Sequence, residues 1–181
     1  MSTGYQINDQ TGLYFLTFQI VDWVDLFTRR IYKEIAIESF EYCIKNKGLE
    51  LYAFVIMSNH IHLIASTADE QRLSDIIRDF KKFTARRFIQ EIDSVIESRK
   101  DWILKRFEYA ARSHSRNSEY QVWTHENHAI ELNSPEFIEQ KLNYIHQNPV
   151  RAGIVELAED YIYSSASNYA GKQSVIDIKY L

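Results

Sequence analysis

Apolar residues fall into two rhythms along the chain. Tyr14–Val21 (YFLTFQIV) is dense in aromatic and β-branched residues and predicts a strand. From Thr28 to Lys45 the apolar positions Ile31, Ile35, Ile37, Phe40 and Cys43 keep a helical spacing. Asn46-Lys47-Gly48 then closes that helix, with glycine as the left-handed residue beyond its last turn. Leu51–Met57 (LYAFVIM) is a continuous apolar run of strand length, Ser58-Asn59 turns the chain, and His60–Ser66 (HIHLIAS) predicts the hairpin partner. A long helix is predicted from Leu73 to Ile89, with Leu73, Ile76, Ile77, Phe80, Phe83 and Phe88 on its apolar side. Residues 90–118 predict a helical extension and a polar loop, and Tyr120–Trp123 a short strand.

Ser134-Pro135-Glu136 opens another helix: Ser caps it, Pro takes the first turn, and Glu suits the positive end of the dipole. It continues through Phe137, Ile138, Leu142 and Ile145 and is expected to end near Asn148, because the residue before a proline disfavours helix. The order strand, helix, strand, strand, helix, strand, helices predicts an α+β, ferredoxin-like split βαβ fold, an antiparallel sheet with helices packed on one face. No internal repeat or composition break divides the chain, so residues 1–181 are expected to form one domain with a C-terminal helical extension after about 153.

Composition narrows the class. Five Gly, two Pro, 45% hydrophobic and 25% charged residues exclude a disordered or fibrous chain. The N-terminal MSTGYQINDQTGLYF has no basic stretch followed by an apolar core, so no signal peptide is expected. Apolar runs fall well short of the ~20 residues of a membrane span. The single cysteine, Cys43, excludes an intramolecular disulfide, is expected to be buried and inert, and fits a cytoplasmic address. The net charge of −4 runs against the basic character common in nucleic-acid enzymes. Its distribution does not: Arg72 to Arg116 holds twelve Lys and Arg against seven Asp and Glu, and the compensating acids lie mainly in 131–160 and the N-terminal third.

Two clusters carry candidate chemistry. On a strand, His60 and His62 project from one face while Ile61 points to the other, which sets two imidazoles side by side on a rigid support. Such a pair is half a metal site; in a buried hairpin two idle histidines are costly. In Tyr144-Ile145-His146-Gln147-Asn148-Pro149, Tyr144 and Asn148 stand four apart on one helix face. An amide oxygen at Asn148 can complete a site begun by two imidazoles, which places a phenol beside the metal. The ordinary structural roles are a half-buried aromatic for Tyr144 and, for Asn148, a cap on a following turn Pro149–Ala152 that ends at Gly153.

MSNHIHLI, DIIRDFKKFTARRF, YIHQNPVRAGIV and YIYSSASNY, in that order, resemble the single-tyrosine HUH-superfamily transposases, and in particular the REP-associated tyrosine transposases. The resemblance covers roughly residues 14–170. It implies that His60 and His62 are metal ligands, Tyr144 the nucleophile and Asn148 the third ligand. Insertion-sequence relatives use Gln on this helix, which keeps Gln147 as a second candidate, and many relatives have Pro where this chain has Ser58. The implied activity is a transposase and single-strand DNA endonuclease. With Mg²⁺ or Mn²⁺ polarising the scissile phosphate, Tyr144 attacks phosphorus, leaves a 5′-phosphotyrosine link and a 3′-OH, and strand transfer follows without a nucleotide cofactor. The implied partner is single-stranded DNA containing a hairpin in the family's manner, with a homodimer among the family's assemblies and monomers in the REP-associated branch.

Arg78, Lys82 and Arg86 form one stripe on the long helix, with Lys81 beside it and Arg87 following, readable as a phosphate-tracking ridge or a solvated face. Arg112, His114 and Arg116 offer a weaker DNA contact. Trp123 reads as core, His125 and His128 as structural or substrate-proximal, and His146 points about 200° from Tyr144 around a helix of 3.6 residues per turn. Glu126 is a possible base that sequence alone does not place. Two other functions remain open: a domesticated DNA-binding protein without strand transfer, and a metallohydrolase in which Tyr144 is structural.

Overall fold

The computed structural model describes residues 6–68, 71–94, 97–112 and 119–181. Its strands and helices run β1 (Tyr14–Gln19), α1 (Arg30–Lys47), β2 (Leu49–Ile56), β3 (His60–Thr67), α2 (Leu73–Ser94), α3 (Lys100–Arg112), β4 (Ile130–Glu131), α4 (Pro135–Arg151) and α5 (Ala166–Tyr169). The sheet is antiparallel in the order β2-β3-β1-β4, the split βαβ arrangement the sequence predicts. Gly48 follows α1 at φ 71°, its N–H capping the Cys43 carbonyl, and so lets β2 begin at the next residue.

Register assigns the two faces of the sheet. Phe18 stands opposite Ile61, and its ring meets Phe80 of α2 at 5.6 Å. Thr17 stands opposite His62 and Phe15 opposite Ile64, and these face α4, where the Tyr144 ring lies 5.9 Å from Phe15. Helices α1 and α2 cover the first face, locked by the stacked rings of Phe40 and Phe80 at 4.3 Å. Helix α4 crosses the second, over β2 and β3, so helices cover both faces of the antiparallel sheet rather than the one face the sequence predicts. Burial on both faces explains why the central strands read as continuous apolar runs rather than as alternation.

Four local expectations are corrected. The edge strand is not Tyr120–Trp123: Trp123 makes one bridge to Ile20, Asn127 accepts the Thr17 N–H, and regular pairing resumes only at Ile130–Glu131. The segment runs along β1 but is broken by His128, which sits at φ 42°. Phe83 is not on the apolar side of α2 but 50% exposed; the seam is Ile76, Ile77, Phe80, Thr84, Phe88 and Ile92. After α2, which runs on to Ser94, residues 100–112 form a separate helix, α3. Finally, α4 passes Asn148 and Pro149 to Arg151. Pro149 lies so near the end that it forfeits one backbone bond, and it is buried. The chain then closes in a Schellman turn, with Ile154 N–H on Pro149 O and Gly153 at φ 68°.

Ser134 caps α4 as expected, accepting the Phe137 N–H. Trp123 is core, its indole N–H 2.9 Å from Thr84 Oγ1 and its ring among Phe18, Phe27, Phe80 and Phe88. Cys43 is buried, which pushes its thiol up to about 11. Among the described residues no helix is long and apolar enough to cross a membrane.

Candidate active site

The two histidines of β3 and the tyrosine of α4 meet on the second face of the sheet. The rings of His60 and His62 lie 4.6 Å apart, and the Tyr144 ring stands edge-on to His62 at 5.3 Å. Phe15 floors the group, stacked on His62 at 5.3 Å. His62 is buried, whereas Tyr144 is 39% exposed, so the phenol stands at the mouth of the site.

Each imidazole is held through Nδ1. His62 Nδ1 is 2.9 Å from Thr17 Oγ1, directly across the sheet, and His60 Nδ1 is 2.7 Å from Asn59 Oδ1. The Asn59 amide is itself oriented, because Nδ2 donates to Trp23 O and to Asp25 Oδ1. An amide oxygen only accepts, so His60 carries its proton on Nδ1 and presents an Nε2 lone pair. Oriented imidazoles of this kind are the usual surroundings of metal ligands. Burial holds His62 down at about 3, with the charges of His60, Lys141 and Arg151 adding to the effect, and burial also lowers His60. Both rings are therefore neutral at pH 7, the state that coordinates a metal.

Two cations flank the phenol. Lys141 Nζ lies 4.8 Å from the Phe15 ring and 5.8 Å from that of Tyr144. Arg151 places its guanidinium carbon 4.7 Å from the Tyr144 ring and donates from Nη2 to the Tyr144 carbonyl at 2.9 Å. Lys141, Tyr144, Asn148 and Arg151 follow the i, i+3, i+7, i+10 spacing of one helix stripe, so Asn148 occupies the turn between the phenol and the guanidinium. Asn148 and Gln147 are both partly buried. Among the described residues no group of three His, Cys, Asp or Glu could hold a metal. The donors this face offers are thus two neutral imidazoles, with the Asn148 amide on the Tyr144 stripe of α4, a set that suits a hard divalent ion whose remaining positions are filled by water or substrate oxygens.

The other sequence candidates lie elsewhere. His146 turns to the C-terminal segment, with Nε2 2.9 Å from Ser165 Oγ and its ring 5.1 Å from Tyr169, and burial lowers it to about 4. The α2 cations sit on the helix that covers the opposite face of the sheet. Arg78 is paired with Asp75 and Asp79, while Lys81 turns inward, donating to the carbonyls of Thr124 and Glu126. Lys82 and Arg86 are exposed. Arg112 ends α3 in a pair with Glu108, and the Glu126 carboxylate lies 3.8 Å from His128. His114 and Arg116 lie outside the described residues. Sequence reasoning missed Thr17, Asn59, Lys141 and Arg151. Only the stripe spacing of Lys141 and Arg151 around Tyr144 could have signalled them.

Comparison with known proteins bears on the family and the fold. Residues 17–148 match the family described as "Transposase IS200 like", a span that begins within β1 and holds both histidines, Tyr144 and Asn148. No match is found among curated proteins. Among solved structures, a REP-associated tyrosine transposase bound to a REP hairpin is similar at 17% identity and a TM-score of 0.62, covering 100% of this chain and 95% of that one. A Deinococcus radiodurans R1 protein described as a transposase is 16% identical over 74% of this chain and 87% of its own, with a TM-score of 0.42. The first of these likenesses supports the fold. The family match supplies the identity: the chain belongs to the IS200-like transposase family.

Proposed function

We propose that this transposase cuts and rejoins single-stranded DNA through a covalent link to Tyr144. The observation that carries the reading is the edge-on contact of the Tyr144 ring with His62, made within one chain and at the solvent mouth of the site. Tyr144 Oη attacks the scissile phosphorus, the P–O3′ bond breaks, the departing O3′ takes up a proton, and the phenolic proton passes to solvent. The strand 3′ of the cut stays on the tyrosine through its 5′-phosphate, so a 3′-OH can reverse the step and restore a phosphodiester.

His60 and His62 would hold a Mg²⁺ or Mn²⁺ ion through Nε2, with Asn148 as the amide ligand and Gln147 as its alternative. When bound, the ion supplies charge to the non-bridging phosphate oxygens. Lys141 and Arg151 add fixed positive charge on either side of the phenol and so orient the same phosphate. The substrate is proposed to be a strand with a hairpin, as in the similar structure that carries a REP hairpin.

The test is incubation with end-labelled single strands from the flanks of the protein's own gene, with and without Mn²⁺, on denaturing gels. A metal-dependent protein–DNA adduct that Tyr144→Phe abolishes is the expected result. Cleavage without an adduct that survives Tyr144→Phe indicates a metallohydrolase; binding without cleavage indicates a DNA-binding protein that has lost strand transfer.

A further inference from the structure

We infer that the outer groove between α1 and α2 is a stacking site for single-stranded nucleic acid, with Tyr42 and Phe83 receiving bases and Lys82, Arg86 and Arg87 receiving phosphates. The inference rests on the single-strand DNA reading above but concerns a different face of the molecule, the side of the sheet away from Tyr144.

The groove has a volume of about 620 Å³ and is lined by both aromatics and all three cations. Phe83 is the residue whose spacing predicts core and whose ring is instead 50% exposed; Tyr42, across from it on α1, is 56% exposed. A single exposed aromatic is ordinary, but two that line one groove form a platform. The guanidinium of Arg87 lies 5.9 Å from the Phe83 ring, and Lys82, Arg86 and Arg87 have no ion-pair partner among the described residues. Of the acids in the groove, Asp79 is held by Lys47 and Arg78, which leaves Glu38 against three cations in a chain of net charge −4. Aromatic faces beside unpaired cations match the requirements of a single strand, which offers both unstacked bases and phosphates. A second copy of this chain is a poorer occupant, since an apolar contact would bury those cations without partners.

The test uses the full chain carrying Tyr144→Phe, with fluorescein-labelled dT20 as the probe and anisotropy as the readout. Phe83→Ala and Tyr42→Ala should each weaken binding about tenfold, within the range for loss of one base–aromatic contact. Phe83→Trp should preserve binding where Phe83→Leu does not. Arg86→Gln with Arg87→Gln should lower the slope of log affinity against log salt by roughly 1.4, two single-strand phosphate contacts. Affinity for dT20 unchanged by Phe83→Ala overturns the inference, as does a Phe83→Ala effect confined to self-association in sedimentation. The outcomes separate from those of the cutting reaction. Adducts formed by the Tyr144 protein alongside Phe83-independent binding sink the groove alone, whereas Phe83-dependent binding without adducts sinks the cutting reaction alone.

Discussion

Asn59 fixes the proton of its neighbour His60: its amide oxygen sits 2.7 Å from Nδ1 while its amide nitrogen is occupied by Trp23 O and Asp25 Oδ1. Thr17 Oγ1 meets His62 Nδ1 at 2.9 Å from across the sheet and orients that ring. Asn59→Ala and Thr17→Val should keep the fold, because neither side chain fills the core, yet each should weaken Mn²⁺ binding about tenfold or more through loss of ring orientation. Calorimetric titration with Mn²⁺ checks this without reference to activity; unchanged affinity in both variants rules out the orienting role.

Metal and phosphate should bind together. The site offers two neutral imidazoles and two nearby cations, Lys141 and Arg151, that repel a divalent ion. A phosphate that contacts the cations removes this repulsion and supplies an oxygen ligand. Mn²⁺ affinity of the Tyr144→Phe protein should therefore rise on adding a cleavable-length single strand by a factor of roughly 5 to 150, the usual span of coupling between two sites. Lys141→Gln with Arg151→Gln should tighten Mn²⁺ in the absence of DNA and slow adduct formation about a hundredfold. Equal Mn²⁺ affinity with and without DNA would show that the ion needs no phosphate.

Much of the fold was legible because its signals are local. Gly48 ends α1, Ser134-Pro135 begins α4, and the apolar runs of β2 and β3 mark strands buried on both faces. The misses arise where tertiary contacts override a local rule. Pro149 stays in a helix because it sits in the last turn and is buried, and Phe83 leaves the seam because Thr84, bonded to the indole of Trp123, takes its place. The histidine pair and Tyr144 were visible as motifs, but Thr17 joins His62 across 45 residues of sequence, and nothing in the strand pattern of β1 marks that threonine.

Ser165 is the strongest example of such a hidden contact. It is fully buried, its Oγ accepts the Phe54 N–H at 3.0 Å and meets His146 Nε2 at 2.9 Å, and its own N–H bonds Phe54 O. With Tyr163 on Ile56 and Lys179 on Leu51, the C-terminal segment covers the outer edge of β2. Ser165→Ala leaves the Phe54 amide and the His146 ring unsatisfied and should cost about 1–3 kcal/mol in urea unfolding. Truncation after Gly153 should bare that edge and cause association visible by light scattering; a truncated chain that stays monomeric denies the segment this shielding role.

Lys81 makes stability depend on pH. Its ammonium is turned inward, donating to Thr124 O and Glu126 O with Phe18 beneath it at 5.0 Å, and burial lowers it to about 7. In the unfolded chain it returns to the usual lysine value of about 10.4. Between about 7 and 10.4 the unfolded state therefore holds a proton that the folded state has released, so stability rises with pH in this window. Below about 7 both states are protonated and the dependence vanishes. Compared with Lys81→Met, the wild-type protein should gain stability from pH 7 to pH 9 at up to about 1.4 kcal/mol per pH unit, and the difference should be flat from pH 5.5 to 6.5. Urea midpoints of the two proteins at pH 6, 7.5 and 9 read this directly. A constant difference across all three would mean that Lys81 keeps its proton and that its two carbonyl bonds are those of an ordinary ammonium.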